Sequence, residues 1–129
     1  MIKKNDQSTT LQELKDLVAT FRDERGWSTH HSPKNLAMSI AIEAAELMEH
    51  FQWDEYTISR KQEISDELSD VLLYCFNMAD TLDIDIATAY RDKLTRAEKK
   101  FPTEVFNPGH DDPEAYARIR RAYRAGDLK

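Results

Sequence analysis

Four stretches of this chain repeat apolar residues at the three- and four-residue spacing of an α-helix, and that periodicity constrains the fold more than any other feature. Leu11, Leu14, Leu17, Val18 and Phe21 share one helical face, and Leu36, Ile40, Ala44, Leu47 and Phe51 share a second. A third stripe runs through Ile64, Leu68, Val71, Leu72, Cys75, Ala79 and Leu82, and a fourth through Ile86, Ala89, Tyr90, Leu94 and Ala97. Start signals agree with the stripes. Thr10-Leu-Gln-Glu13 has the capping-box pattern, and Ser32-Pro33 offers a serine cap with proline in the first turn, where its missing N–H costs nothing. Gly26 is the expected stop of the first helix, and a polar connector with Trp27, His30 and His31 follows it. The third helix is expected from about Lys61 to Leu82 and the fourth from near Asp85 to Lys100. After an irregular stretch, Asp112-Pro113 caps a short basic helix around Tyr116, Ile119 and Tyr123.

Three glycines and four prolines are too few punctuators for a sandwich or barrel of many short strands. The expected fold class is therefore all-α, an antiparallel bundle of about four core helices plus a short C-terminal helix. A length of 129 residues fits one domain. No linker divides the chain, so the expectation is a single domain over residues 1–129, with its core at about 11–102 and an extension at 103–129.

The net charge is −6, and it is unevenly placed. Residues 43–70 hold nine carboxylates against two bases, more than the whole excess. An acidic chain of this kind lacks the electrostatic footprint of a general nucleic-acid binder, so no nucleic-acid partner is expected. No apolar run approaches the ~18 residues of a membrane span, and residues 1–10 lack the apolar stretch of a secretory signal. Cys75 stands alone, which excludes a disulfide framework and makes a reducing cytoplasm the expected compartment.

Helix geometry separates some of these carboxylates from the rest. At roughly 100° per residue, Glu43 falls within about 60° of the centre of its helix's apolar stripe, with Glu46 on the same flank about 120° away. Glu67 lies about 80° from the centre of the third stripe, and Glu63, Asp70 and Tyr74 sit a little further out on that flank. Glu43 with Glu46, and Glu67 with Asp70, are i,i+3 pairs that each converge beside their helix. Four carboxylates at a half-buried seam cannot all stay ionised without compensation, because desolvation and like charge both raise their pKa values. Hard divalent cations resolve this: oxygen-only ligands suit Mg²⁺ or Mn²⁺, and Mg²⁺ shares its coordination with substrate phosphates. The competing reading is a solvated helix face, which fits Glu49, Asp54, Glu55 and Asp66 well and Glu43 poorly. A di-iron carboxylate bundle would need Glu-x-x-His pairs, and no histidine here has an acidic residue three positions before it.

The segments Ile42-Glu43-Ala-Ala-Glu46-Leu47-Met-Glu49 and Asp66-Glu67-Leu68-Ser69-Asp70-Val71 resemble the paired acidic motifs of the MazG-like, all-α nucleoside triphosphate pyrophosphohydrolases. Phe21-Arg-Asp-Glu-Arg-Gly-Trp27, His31-Ser-Pro33-Lys-Asn35-Leu36, Phe51-Gln52-Trp53 and the run from Asp66 to Tyr74 are similar to the dCTP pyrophosphatase branch of that family. The resemblance implies that Glu43, Glu46, Glu67 and Asp70 bind Mg²⁺, with Mn²⁺ as a substitute, and that water attacks the α-phosphorus of a (d)NTP. Nucleoside monophosphate and pyrophosphate leave. Glu43 or Glu46 is the expected group to orient or deprotonate the water. The resemblance further places Lys93 near the phosphates, with Lys100 assisting, Trp27, Trp53 and Tyr74 around the base, and His31 and Asn35 against base or sugar. Read without it, Lys93 is a solvated helix residue, the aromatics are core, and His31 and Asn35 shape the turn. His30, His50 and His110 are given no role, and the cluster Arg118, Arg120, Arg121 and Arg124 reads as a solvated face.

Three positions depart from the branch pattern. Val18 stands where a histidine is usual, Ala97 where an asparagine is, and Phe101 where a tyrosine is. Each change removes a polar group, which weakens discrimination among bases and leaves the metal chemistry intact. With Phe51, Trp53, Phe76 and two C-terminal tyrosines to cover, a homo-oligomer is expected, and the resemblance implies a tetramer built from dimers. Nucleotide-pool housecleaning, with dCTP among the substrates, is the resulting expectation. The alternatives are a pyrophosphohydrolase for another triphosphate, such as dUTP or phosphoribosyl-ATP, and a non-catalytic acidic helical interaction module.

Overall fold

The computed structural model describes residues 4–53, 58–109 and 112–127. Asp54, Glu55 and His110 lie outside the described residues. The helices are α1 (Leu11–Asp23), α2 (Pro33–Glu49), α3 (Lys61–Thr81), α4 (Ile86–Lys100) and α5 (Pro113–Ala125), with short 3₁₀ turns at Trp27–His30 and Ile58–Arg60. Among the described residues there is no β-strand, and the all-α expectation holds. No helix there is long and apolar enough to cross a membrane.

The local signals explain the boundaries. Thr10 Oγ1 accepts from the Glu13 backbone N–H at 3.1 Å, while the Glu13 carboxylate accepts from the Thr10 N–H at 2.8 Å, so both arms of the capping box form. Hydrogen bonds from Lys4 and the Thr10 backbone hold the Glu13 carboxyl below its ordinary pKa. Ser32 Oγ accepts from the Asn35 N–H at 3.2 Å with Pro33 in the first turn of α2, and Asp112 caps α5 in the same manner. Gly26 takes a left-handed φ of +65° between α1 and the 3₁₀ turn, a conformation that costs a residue with a Cβ. Asp83 does the same at the end of α3, where the Ile84 N–H returns to the Ala79 carbonyl at 2.8 Å.

The chain divides into two compact units, Met1–Asp85 and Ile86–Lys129. In the first, α3 packs along α2 and also against α1. Its buried residues are Leu36, Phe76, Ala79 and Asn77. This differs from the stripes in an informative way. Leu68, Leu72 and Leu82 of the α3 stripe are exposed, while Phe76, expected to need covering by another subunit, is buried within the chain. α1 packs on α3 and reaches its residues 77 and 80. Arg22 of α1 donates to Asp80 at 2.6 Å and to the buried Asn77 Oδ1 at 3.4 Å, and Asn77 Nδ2 donates to the Leu73 carbonyl. Cys75 is half-buried, and that burial pushes its thiol pKa up.

In the second unit, Phe101 stacks on Tyr116 of α5, with centroids 5.7 Å apart, and meets Phe106 edge-on. Among its described residues, Ala115 is buried. Arg118 pairs with Asp112, so this member of the basic cluster is engaged at the cap of its own helix.

Candidate active site

α2 and α3 run antiparallel, as three cross-helix neighbours show. His50, at the end of α2, lies by Glu63 and Glu67 near the start of α3; Glu43 lies by Glu67; and His31, just before α2, faces Tyr74. This pairing turns two one-sided acidic edges toward each other. Carboxylate oxygens of Glu43, Glu46 and Glu67 all fall within 4.8 Å of one another. Asp70, the fourth expected ligand, is outside that group and exposed, although its charge still acts on Glu43.

Glu43 carries the electrostatic burden. Burial pushes its carboxyl above the ordinary range, and the charges of Glu46, Asp70 and Glu67 push it further in the same direction. A site that leaves one carboxylate so poorly compensated fits a cation. The donors are all carboxylate oxygens, the set that hard divalent ions prefer, and no sulfur or nitrogen donor belongs to the cluster.

The expected substrate residues are partly assembled. His31 and Tyr74 have ring centroids 6.4 Å apart, and His31 Nδ1 is buried with no hydrogen-bond partner among the described residues. Trp27 is half-exposed and meets Phe21 edge-on at 5.7 Å. Trp53 is 85% exposed, far from the core position an unliganded tryptophan usually takes. Asn35 Nδ2 donates to the His30 carbonyl at 3.0 Å, so this amide braces the turn before α2. In the second unit, Lys93, Arg96, Lys99 and Lys100 of α4, with Tyr123 of α5, line a cavity of about 310 Å³ that also reaches Ala97 and Phe101. Lys100 Nζ sits 3.5 Å from the Tyr123 ring centroid. A larger hollow of about 460 Å³ along α1 is wide open, and none of the clustered carboxylates lines it.

His50 is the neighbour that the sequence reading left without a role. Its Nε2 lies 3.9 Å from Glu67 and its Nδ1 3.9 Å from Glu63. The pattern that could have found it is the pair Glu63/Glu67, one turn apart on α3, facing the end of an antiparallel α2.

The MazG-like family pattern matches residues 38–107, which contain all four candidate ligands. The chain is 32% identical to mouse dCTP pyrophosphatase 1 over 104 residues, covering 74% of this chain and 61% of the mouse protein. It is 30% identical to the human dCTP pyrophosphatase 1 over the same shares. The chain thus spans about three fifths of the length of these curated relatives. Its fold is similar to the crystal structure of a pyrophosphatase from Archaeoglobus fulgidus, with a TM-score of 0.67 and 39% identity, covering 78% of this chain and 99% of the other. By motif, fold and similarity, the chain belongs to the MazG-like family.

Proposed function

We propose that this chain is a divalent-metal-dependent nucleoside triphosphate pyrophosphohydrolase that converts a (d)NTP and water to the (d)NMP and pyrophosphate. The observation that carries the reading is the convergence of Glu43, Glu46 and Glu67 from two antiparallel helices within 4.8 Å. The relatives named dCTP pyrophosphatase 1 and the archaeal pyrophosphatase support it. They also make dCTP the first substrate to try.

Glu43, Glu46 and Glu67 would hold Mg²⁺, or Mn²⁺ in its place, with Asp70 joining from the same flank of α3. When bound, the cation neutralises phosphate charge and lowers the pKa of a coordinated water. The protein's part is positioning and proton handling. A glutamate oxygen of Glu43 or Glu46 that faces the water accepts its hydrogen bond, orients it toward the α-phosphorus and takes its proton as the P–O bond to pyrophosphate breaks. Trp27, Trp53 and Tyr74 supply stacking surfaces for a base, and the unpartnered His31 Nδ1, with Asn35 beside it, offers polar contact to base or sugar. By the family resemblance alone, Lys93 would supply positive charge to the phosphates.

The working state we propose is a tetramer assembled from dimers. Met38, Ile42 and Met48 on α2 and Leu68 and Leu72 on α3 are exposed, apolar side chains that association would cover. The lone, half-buried thiol of Cys75 suits a reducing cytoplasm, where the enzyme would clear unwanted or modified triphosphates.

The experiment is pyrophosphate release across a panel of dNTPs, NTPs, dUTP and phosphoribosyl-ATP, with and without Mg²⁺. The proposal expects metal-dependent turnover that includes dCTP. Absence of turnover for every substrate, with metal-dependent melting retained, would favour a non-catalytic acidic module instead.

A further inference from the structure

His50 closes α2, and its backbone is fixed from two directions. Its N–H donates to the Met48 carbonyl, and its own carbonyl accepts from Arg60 Nη1 at 2.9 Å, across to the residue that opens α3. The imidazole is therefore carried on an anchored base, with four fifths of it shielded from solvent, and its two nitrogens point at carboxylates one turn apart on α3. These carboxylates differ. Glu63 is 65% exposed and free to turn into water, whereas Glu67 is 24% exposed and belongs to the three-carboxylate cluster.

We infer that His50 is a positioning residue for the metal centre: its Nε2–H holds one oxygen of Glu67, so that the carboxylate is presented to the cation in a fixed orientation. The inference rests on the metal reading given above. A neutral imidazole carries one N–H, and the inferred contact takes the tautomer that has it on Nε2. At 3.9 Å the pair lies about one ångström beyond hydrogen-bond distance, so the contact we infer forms only when the two side chains draw together on the cation. Carboxylates that ligate metals are themselves hydrogen-bonded by surrounding groups, and loss of such a partner typically weakens metal binding by roughly 10–100-fold.

The test is Mn²⁺ binding to the purified full chain, followed by the electron paramagnetic resonance signal of free Mn²⁺, for wild type, His50→Leu and His50→Gln. The inference expects His50→Leu to bind at least about tenfold more weakly. His50→Gln, whose amide N–H can reach the same oxygen, should stay within about threefold of wild type. Metal-free melting temperatures of His50→Leu and His50→Gln should match, which separates positioning from folding. If His50→Leu does not fold, His50→Ser, too short to reach Glu67, takes its place in the comparison. Wild-type affinity in His50→Leu, or equal losses in the leucine and glutamine variants, would overturn the assignment. Wild-type protein that binds no Mn²⁺, or Glu67→Ala that binds it normally, would instead overturn the metal reading itself.

Discussion

Glu43 on α2 and Glu67 on α3 place carboxylate oxygens within 4.8 Å of each other across an antiparallel helix pair, with Glu46 completing the group. Each residue is one of many acids on its own helix. Only the pairing of the helices makes them a site, and it does so at an energetic cost that a cation removes.

That cost has a pH signature in the metal-free protein. Burial first, and then Glu46, Asp70 and Glu67, raise the folded-state pKa of Glu43 above the reference value of 4.5. Between those two values the folded protein binds more protons than the unfolded chain, so stability falls as the pH rises through the window, and the loss is complete above the folded pKa. Glu43→Gln removes the penalty. Without metal, this variant should melt above wild type at pH 8, and the difference should shrink toward zero as the pH approaches 4.5; thermal scans across that range check it.

With metal the order reverses. Glu67→Ala and Glu46→Ala remove ligands outright, so Mn²⁺ should no longer raise their melting temperatures. Their kcat/KM should fall by at least ~100-fold, the upper end of what loss of a merely supporting group costs a metal site. Retained metal stabilisation in both variants would remove these residues from the site.

The helix caps were the most legible part of the fold, because a capping box or a serine-proline start is a purely local arrangement. Thr10, Ser32 and Asp112 all cap where the sequence places them. The acidic edges were legible for a related reason, since residue spacing on a helix fixes the flank a side chain occupies. What spacing cannot contain is the neighbour. Asn77 is buried where Arg22 of α1 reaches α3, and Leu68 and Leu72 of the apolar stripe are exposed, neither of which spacing along α3 could show. His50 escaped notice because its partners lie on the next helix, and the i,i+3 rule grouped Asp70 with Glu67 without showing that Asp70 stands outside the 4.8 Å cluster.

Arg22 tests the packing of α1 on α3. Its side chain is only 11% exposed and donates to Asp80, Asp23 and the buried Asn77. Arg22→Ala leaves the Asn77 carbonyl oxygen without this donor, a loss of about 1–3 kcal/mol. Urea unfolding should show that decrease while Mn²⁺ affinity stays unchanged.

Trp53 tests the base site. Stacking on an aromatic side chain is worth about 1–3 kcal/mol per base. Trp53→Ala should raise KM for the preferred triphosphate by roughly 5- to 150-fold, with little change in melting temperature because the ring is exposed. A changed melting temperature with an unchanged KM would return Trp53 to a packing role.

The exposed apolar faces of α2 and α3 predict self-association. Sedimentation should give four chain masses for wild type and a smaller species for Leu72→Glu, because a charge at this exposed leucine would be desolvated in an interface. A monomeric wild-type protein would contradict the tetramer.

The most direct test of the central claim is hydrolysis of dCTP in ¹⁸O-labelled water with Mg²⁺, followed by mass analysis of both products. Attack at the α-phosphorus, with the clustered glutamates holding the metal and the water, places the label in dCMP and leaves pyrophosphate unlabelled. Label in the pyrophosphate, release of orthophosphate in its place, or turnover that persists in Glu43→Ala without metal would contradict the account.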